Sequence, residues 1–526
     1  MLGLQAPNWP ALRGKLSKAN SSEGPLHIKT EVIASLDIPT LLQKFGNSNQ
    51  ELREALEWID DSHIYDSIRS YLPTFIFPIH RSTFTSDDLS QLIKAEKLSL
   101  ASRGTTYCNA FTVQEDKPEG IRRRPIIEPL INCVIEEFWQ PQCRVTYTPK
   151  SEIRKQVFES SACLQYDFAA WFDQIQLHPH IRDLFALKSN TDILNLNVLP
   201  MGYKPSCKVA HTITKTLIQA TLRNLLKPKV TWAACVDNVA FFGSHNDALL
   251  AGKTFVTLCA SVKAIIKEPE ATPQSSYDLL GEHYDHVAKT RCLTSKTQAK
   301  AAYVFTLLST QTKKYFKVRQ LLAVFGLLLY CAEVLHFNVA MYHAAMRFLS
   351  AVAARPLHEV VGLPPQALDQ LLCWSAGAAL NLPTYVQHVA SDNIDLRIYV
   401  DASGLGWGAL AVGVNASVRS CAFPWPKFIQ SSVEAEPLAA TLAIAYFVNT
   451  KVKNVVLYTD HEGLVFASKK GWGKCSSYSM AVAAFREWEQ FGVYIRLEHI
   501  PGRYNPADAL SRSFTPPLLP VTKIGL

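Results

Sequence analysis

Gln165-Tyr166-Asp167-Phe168-Ala169-Ala170-Trp171-Phe172-Asp173-Gln174-Ile175 carries a single carboxylate, Asp167, to the end of a short apolar run over 163–168. The chain then turns toward a helix in which Phe172 lies five positions after the acid. A strand that buries an Asp is costly unless the charge is paired or holds a cation. The plain alternative is that Asp167 caps a helix N-terminus. Two stretches farther along bear on the choice. Leu199-Pro200-Met201-Gly202 reads as a sharp turn ahead of a long helical run over 206–226. Cys235-Val236-Asp237-Asn238, between the apolar runs 230–234 and 239–242, reads as a hairpin with an acid at its tip.

Strand-Asp, Pro-x-Gly-helix and hairpin-Asp, in this order, resemble motifs A, B and C of the reverse transcriptase palm. The resemblance implies that Asp167 and Asp237 bind divalent metal, Mg2+ or Mn2+, with two ions in the active site. It places Phe172 under the sugar as a gate against the ribose 2′-hydroxyl, with core packing as the ordinary alternative. Met201 and Gly202 would approach the nascent base pair, glycine because it lets backbone come close. The family usually has two adjacent acids at the tip of motif C, and here the second is Asn238. Asn can offer a carbonyl oxygen to a metal but no charge.

Upstream, Ile121-Arg122-Arg123-Arg124-Pro125-Ile126-Ile127-Glu128-Pro129-Leu130-Ile131-Asn132 follows a strand expected over 108–113. The basic run resembles the fingers hairpin of the same family. Arginine forks suit phosphate oxygens, so Arg123 and Arg124 are the expected triphosphate or template contacts, and a surface patch is the alternative. Downstream, Ser276-Tyr277-Asp278-Leu279-Leu280-Gly281 resembles a primer grip, with Lys267 where the family often has a lysine near the triphosphate. Residues 38–72 show helical spacing, and 87–100 reads as one more helix with its cap at 85–88. The largely apolar run 312–354, with Lys313, Lys314, Lys317 and Arg319 at its front, resembles thumb and connection helices. A helical bundle without a nucleic-acid role fits its later half equally.

Composition sets the frame. Of 526 residues, 48% are hydrophobic and 19% charged, which excludes a disordered chain and leaves room for two to four domains. Between Lys94 and Arg319 there are 30 Lys and Arg against 20 Asp and Glu, although the whole chain nets only +8. A basic block around acids suggests a polyanion steered to a cation site, with a solvated basic face as the alternative. Twelve Cys without CxxC pairs point to reduced thiols and an intracellular protein, cytoplasmic or nuclear, rather than a disulfide scaffold or a zinc finger. Residues 1–18 lack the apolar core of a secretory signal, and the apolar run 321–332 reads as a buried helix too short for a bilayer.

A second set of acids follows a break rich in proline. Leu396-Arg397-Ile398-Tyr399-Val400-Asp401 is a strand ending in an acid, before the hairpin Gly404-Leu405-Gly406-Trp407-Gly408. Glu436 lies on a helix over 433–448, and Val455-Val456-Leu457-Tyr458-Thr459-Asp460 is another strand ending in an acid. Asp508 closes Pro501-Gly502-Arg503-Tyr504-Asn505-Pro506-Ala507-Asp508. The order Asp, Glu, Asp, Asp over βββαβα resembles ribonuclease H, whose four carboxylates hold two Mg2+ ions; helix caps and surface charge are the alternative. His499 reads as a strand residue outside the catalytic set, and the loop position of a catalytic His falls near Arg503.

The expected fold is α+β: a right-hand polymerase of fingers, palm and thumb, then a helical connection and an α/β nuclease. Expected segments are 1–95, 96–315, 316–390, 391–515 and a tail at 516–526. The linkage and the ending Pro-Gly-Arg-Tyr-Asn-Pro-Ala-Asp-Ala-Leu-Ser-Arg resemble reverse transcriptase–ribonuclease H of retroelements. Neither an Asp-Ser/Thr-Gly protease signature nor an integrase zinc motif occurs in the 526 residues, so the tyrosine-recombinase (DIRS-like, VIPER-type) elements fit most closely. The resemblance implies an RNA template, a DNA primer, dNTPs and an RNA–DNA hybrid as partners, with other retroelement proteins and no membrane. Rival readings are a nuclease with a degenerate palm, suggested by Asn238, and a non-catalytic nucleic-acid scaffold of the same fold.

Overall fold

The computed structural model describes residues 26–117, 120–189, 191–225, 229–310, 315–386, 393–449 and 451–513. These form two compact units. One comprises 26–279 with Tyr284–Thr290; the other comprises Leu280–His283 with 291–513. The division falls near 280–290, and the helical segment before 95 belongs to the first unit's body. Residues 1–25 of the expected first segment and the expected tail at 516–526, with Lys313 and Lys314, lie outside the described residues.

Helices Ile38–Phe45, Gln50–Leu56 and His63–Tyr71 fold in with the first unit because their apolar faces have nowhere else to go. Leu41, Leu52, Tyr65 and Ile68 join one core with Phe168, Trp171, Leu199 and Ile213. Ser86–Lys94 is a helix with a capping box made by Thr85 and Asp88. It ends earlier than expected, and Leu98–Ala101 is a strand paired with Ile193–Leu196. The hairpin Cys108–Lys117 with Gly120–Pro129 carries the three arginines.

At the centre of this unit lies a three-stranded antiparallel sheet, ordered Ala162–Asp167, Asn238–Gly243, Thr231–Cys235. Its faces are apolar, as the unbroken runs Ala162-Cys163-Leu164 and Val239-Ala240-Phe241-Phe242 require. The helix His245–Ser261, capped by Ser244, crosses it so closely that a Cβ on Gly252 would lie 2.2 Å from Leu164. The long helix Ser206–Arg223 buries Val209, Ala210, Ile213 and Leu217 in the same core.

In the second unit, helices Ser295–Thr310, Val318–Leu335, His343–Val352 and Pro365–Leu380 share a core around Phe325, Leu328, Leu371 and Trp374. Val318–Leu335 extends the expected apolar run to 18 residues, which is long and apolar enough to cross a membrane. Ten of its residues are buried against the neighbouring helices, the environment of a core helix. The five-stranded sheet beyond it is ordered Val418–Pro424, Gly406–Gly413, Leu396–Ala402, Asn454–Thr459, Tyr494–His499. Its first three strands are antiparallel and its last two join in parallel. Helices Ser432–Phe447, Glu462–Lys470 and Ser476–Gln490 make the connections, as parallel strands demand crossovers.

Candidate active sites

Asp167 ends its strand directly opposite Asn238, and Phe168 donates its N–H to Asp237 O at 3.1 Å. Asp237, in the turn just before Asn238, is therefore brought beside Asp167 at the end of its strand. Burial, and then the charge of Asp167, raises the Asp237 carboxyl from 3.8 to about 6. The Asn238 amide donates to Asp237 Oδ1 at 3.1 Å and so supports that acid. Segment 264–267 runs beside Asp167: Ala169 N–H donates to Ile265 O at 3.0 Å and Lys267 N–H to Asp167 O at 2.9 Å. This lays the Lys267 ammonium on Asp167 Oδ2.

The hairpin tip is strained. Val236 has φ +55°, a left-handed conformation that a β-branched residue rarely takes. Two side chains from the Ser206–Arg223 helix hold it: Thr214 Oγ1 donates to Val236 O at 2.6 Å, and His211 Nδ1 accepts from Val236 N at 3.3 Å. Thr214 Oγ1 also accepts from Trp171 Nε1 at 3.1 Å, tying the turn after Asp167 to the turn before Asp237. Burial lowers the His211 pKa, which favours the neutral ring that can accept. Neither residue stood out in the sequence, where both read as ordinary positions of an amphipathic helix.

Phe172 sits on the short Trp171–Gln174 helix, partly buried against the core. Met201 is 38% exposed. A Cβ on Gly202 would lie 2.5 Å from Ile127 O, so close packing against the Gly120–Pro129 strand already requires glycine there. Arg123 is the expected phosphate contact that the structure places elsewhere. Its side chain is buried, and its guanidinium holds Asp88 at 2.7 and 3.2 Å. A charge this enclosed remains with its partner, because separation leaves two ions desolvated. Arg124, one-third exposed, pairs with Glu115 at 2.7 Å.

In the second unit Asp401, Glu436 and Asp460 each bring a ligand atom to within 4.8 Å of the others. Asp401 lies next to the end of its strand, and Asp460 directly follows Thr459 at the end of the neighbouring parallel strand. Ala402 N–H donates to Glu436 Oε1 at 3.1 Å. Burial, followed by the charges of Asp401 and Asp460, pushes the Glu436 carboxyl up to about 8. Burial also raises Asp401, against the Ser511 hydroxyl that donates to it. The Glu436 helix contains Pro437, which lacks the N–H that Val433 O would accept; Ser477 Oγ donates to that oxygen at 2.8 Å instead.

Asp508 opens the short helix Asp508–Ser511 and pairs with Arg512 at 2.7 Å. It lies outside the tight trio, yet its charge reaches Asp401. Gly408 allows that helix to rest on the sheet, since a Cβ there would lie 2.3 Å from Leu510 Cβ. Three supporting residues were missed. Ser511 binds Asp401, Asn505 Nδ2 donates to Val400 O at 2.9 Å, and a Cβ on Gly502 would lie 2.9 Å from Asp460 Oδ2. All three stand in the stretch 501–512 around Asn-Pro-Ala-Asp, whose irregular spacing was the available signal. His499 is a strand residue paired with Thr459, and Arg503 stacks on Tyr504.

Both centres fit a divalent cation. Asp167 Oδ1 and Glu436 Oε2 are buried and lack a hydrogen-bond partner among the described residues. An all-carboxylate donor set with an unsatisfied buried oxygen is suited to a hard ion such as Mg2+.

No protein-family description and no curated protein matches the chain. Among solved structures, the foamy viral protease–reverse transcriptase in complex with double-stranded DNA is 12% identical, with a TM-score of 0.48 over 90% of this chain and 83% of that one. A second double-stranded DNA complex of that protein is 11% identical, with a TM-score of 0.45 over 90% and 99%. Its complex with an RNA/DNA hybrid gives 12% and 0.44 over 94% and 67%.

Proposed function

We propose that the chain is an RNA-directed DNA polymerase with ribonuclease H activity, acting for a retroelement of the tyrosine-recombinase (DIRS-like) kind inside the cell. The observation that carries the reading is the presence of two strand-end carboxylate centres in one chain, each with a buried oxygen left unpartnered. Asp167 and Asp237 would hold Mg2+ or Mn2+ in the first, and Asp401, Glu436, Asp460 and Asp508 in the second. Bound ions there supply activation of an attacking oxygen and neutralisation of a leaving one. The chain's own residues do the rest. Thr214 and His211 fix the hairpin that presents Asp237, and Lys267 lies where an incoming triphosphate would meet a positive charge. Phe172 would contact the sugar, and Met201 the base pair. In the second centre, Ser511 and the Ala402 N–H orient Asp401 and Glu436. RNA template, DNA primer, dNTPs and hybrid are the proposed partners.

Asn238 favours a second reading, a competent nuclease whose polymerase is silent, because its amide is bound to Asp237 and adds no charge. Primer extension on RNA and DNA templates, in Mg2+ and in Mn2+, decides between them, with hybrid cleavage measured alongside. Asp460→Asn should abolish cleavage and leave extension unchanged. Loss of neither activity in that variant, or absence of both from the wild type, refutes the proposal.

A further inference from the structure

One cluster lies apart from both carboxylate centres. Asp61, His178 and His180 each bring a ligand atom to within 4.8 Å of the other two. We propose that this cluster is a binding site for a transition-metal dication of the zinc class, joining the helical N-terminal segment to the first unit's central body.

The donor set argues for the ion class. Two imidazoles and one carboxylate suit Zn2+, Co2+ or Ni2+, whereas Mg2+ prefers oxygen alone. With bonds of about 2.0–2.2 Å, tetrahedral ligands stand roughly 3.4 Å apart. Small rotations of Asp61 and His180 reach that spacing, and both side chains have room, being 48% and 71% exposed. Before any ion binds, His180 Nδ1 and Asp61 Oδ2 already meet at 2.8 Å.

The frame is built independently of those side chains. His178 N–H donates to Ile59 O at 2.8 Å, which ties the backbone of His178 to the segment two residues ahead of Asp61. Arg69 Nη2 donates to His180 O at 2.8 Å, and the same guanidinium pairs with Asp183 at 2.7 Å. Pro179 restricts the backbone between the two histidines, at the start of the 3₁₀ turn Pro179–Leu184. His178 is half-buried and held against His180, their ring centroids 4.9 Å apart. Three protein ligands leave a position for water, so the site is open rather than sealed.

The test uses the full chain, stripped of metal and returned to excess Mg2+ so that the carboxylate centres are occupied. Zn2+ binding is measured by calorimetry, and Co2+ is added as a spectroscopic probe of nitrogen ligation. The wild type should bind one Zn2+ more than His180→Ala or Asp61→Asn, and each variant should lose Co2+ visible bands. Affinity should fall by at least the 10–100-fold that loss of an outer-shell partner costs. His178 is half-buried, so the two exposed positions serve as the decisive variants, with unfolding midpoints checked without metal. Equal Zn2+ stoichiometry in wild type and variants, or wild-type binding no tighter than a single free imidazole gives, overturns the site.

Discussion

Replacing Glu436 by Gln separates what the second carboxylate centre costs the fold from what it holds. The Glu436 carboxyl titrates at about 8 against an ordinary 4.5 because it is buried beside Asp401 and Asp460. A folded value above the unfolded one means that the native state keeps the extra proton between the two. Stability therefore falls as pH rises from about 4.5 to about 8, and levels off beyond. The full span corresponds to ~5 kcal/mol at high pH, of which ~3 kcal/mol is already lost at about pH 7. Gln keeps the volume but cannot ionise, and its unpaired amide costs about 1–3 kcal/mol. The metal-free variant should then match or fall below wild type near pH 5 and exceed it by ~2–4 kcal/mol near pH 9. For a unit of this size each kcal/mol moves the midpoint by about 2–4 °C. Thermal unfolding of the full chain, in chelator and in Mg2+, reads this out; the transition that Mg2+ raises in wild type marks the unit holding the site. That rise should vanish in Glu436→Gln, together with hybrid cleavage. A lower metal-free midpoint near pH 9, or an undiminished response to Mg2+, would refute the reasoning.

Asn238→Asp adds a charge beside Asp237 worth on the order of 1–4 kcal/mol toward a divalent ion at contact distance. Primer extension should then need less Mg2+, while Asp237→Asn should extend nothing at any metal concentration; two inert proteins would leave the silent-polymerase reading standing. Phe172→Val should raise the ratio of rNTP to dNTP incorporation, and an unchanged ratio with activity retained would make the ring packing alone. Arg123→Ala breaks the buried pair with Asp88 and should cost about 3–5 kcal/mol of stability, measured by denaturant unfolding. If it weakened dNTP binding without a loss of stability, the arginine would belong to the substrate site after all.

The strand-end acids were legible because their signal is local. A short, mostly apolar run that carries an Asp at or next to its end can be seen within six positions, as at 163–168 and 455–460. The Asp88 capping box and the Gly404-Leu405-Gly406-Trp407-Gly408 hairpin are local in the same way. Extents were less legible: 87–100 reads as one helix, yet it holds a helix and the strand Leu98–Ala101, because pairing with Ile193–Leu196 outweighs local spacing. The approach of Gly202 to Ile127, and of Gly252 to Leu164, joins residues 75 or more positions apart.

By itself, then, the amino-acid order determined the strands and helices that carry the carboxylates and where each carboxylate stands on them, since backbone periodicity and turn chemistry act over a few residues. Tertiary structure decided what those charges meet. Arg123 meets Asp88 instead of open solvent, Asn238 turns its amide to Asp237, Ser511 meets Asp401, and Asp61 meets His180. The physical reason is that the charge state and partner of a side chain depend on burial and on neighbours brought in from distant positions, and neither is written in the spacing of the residues around it.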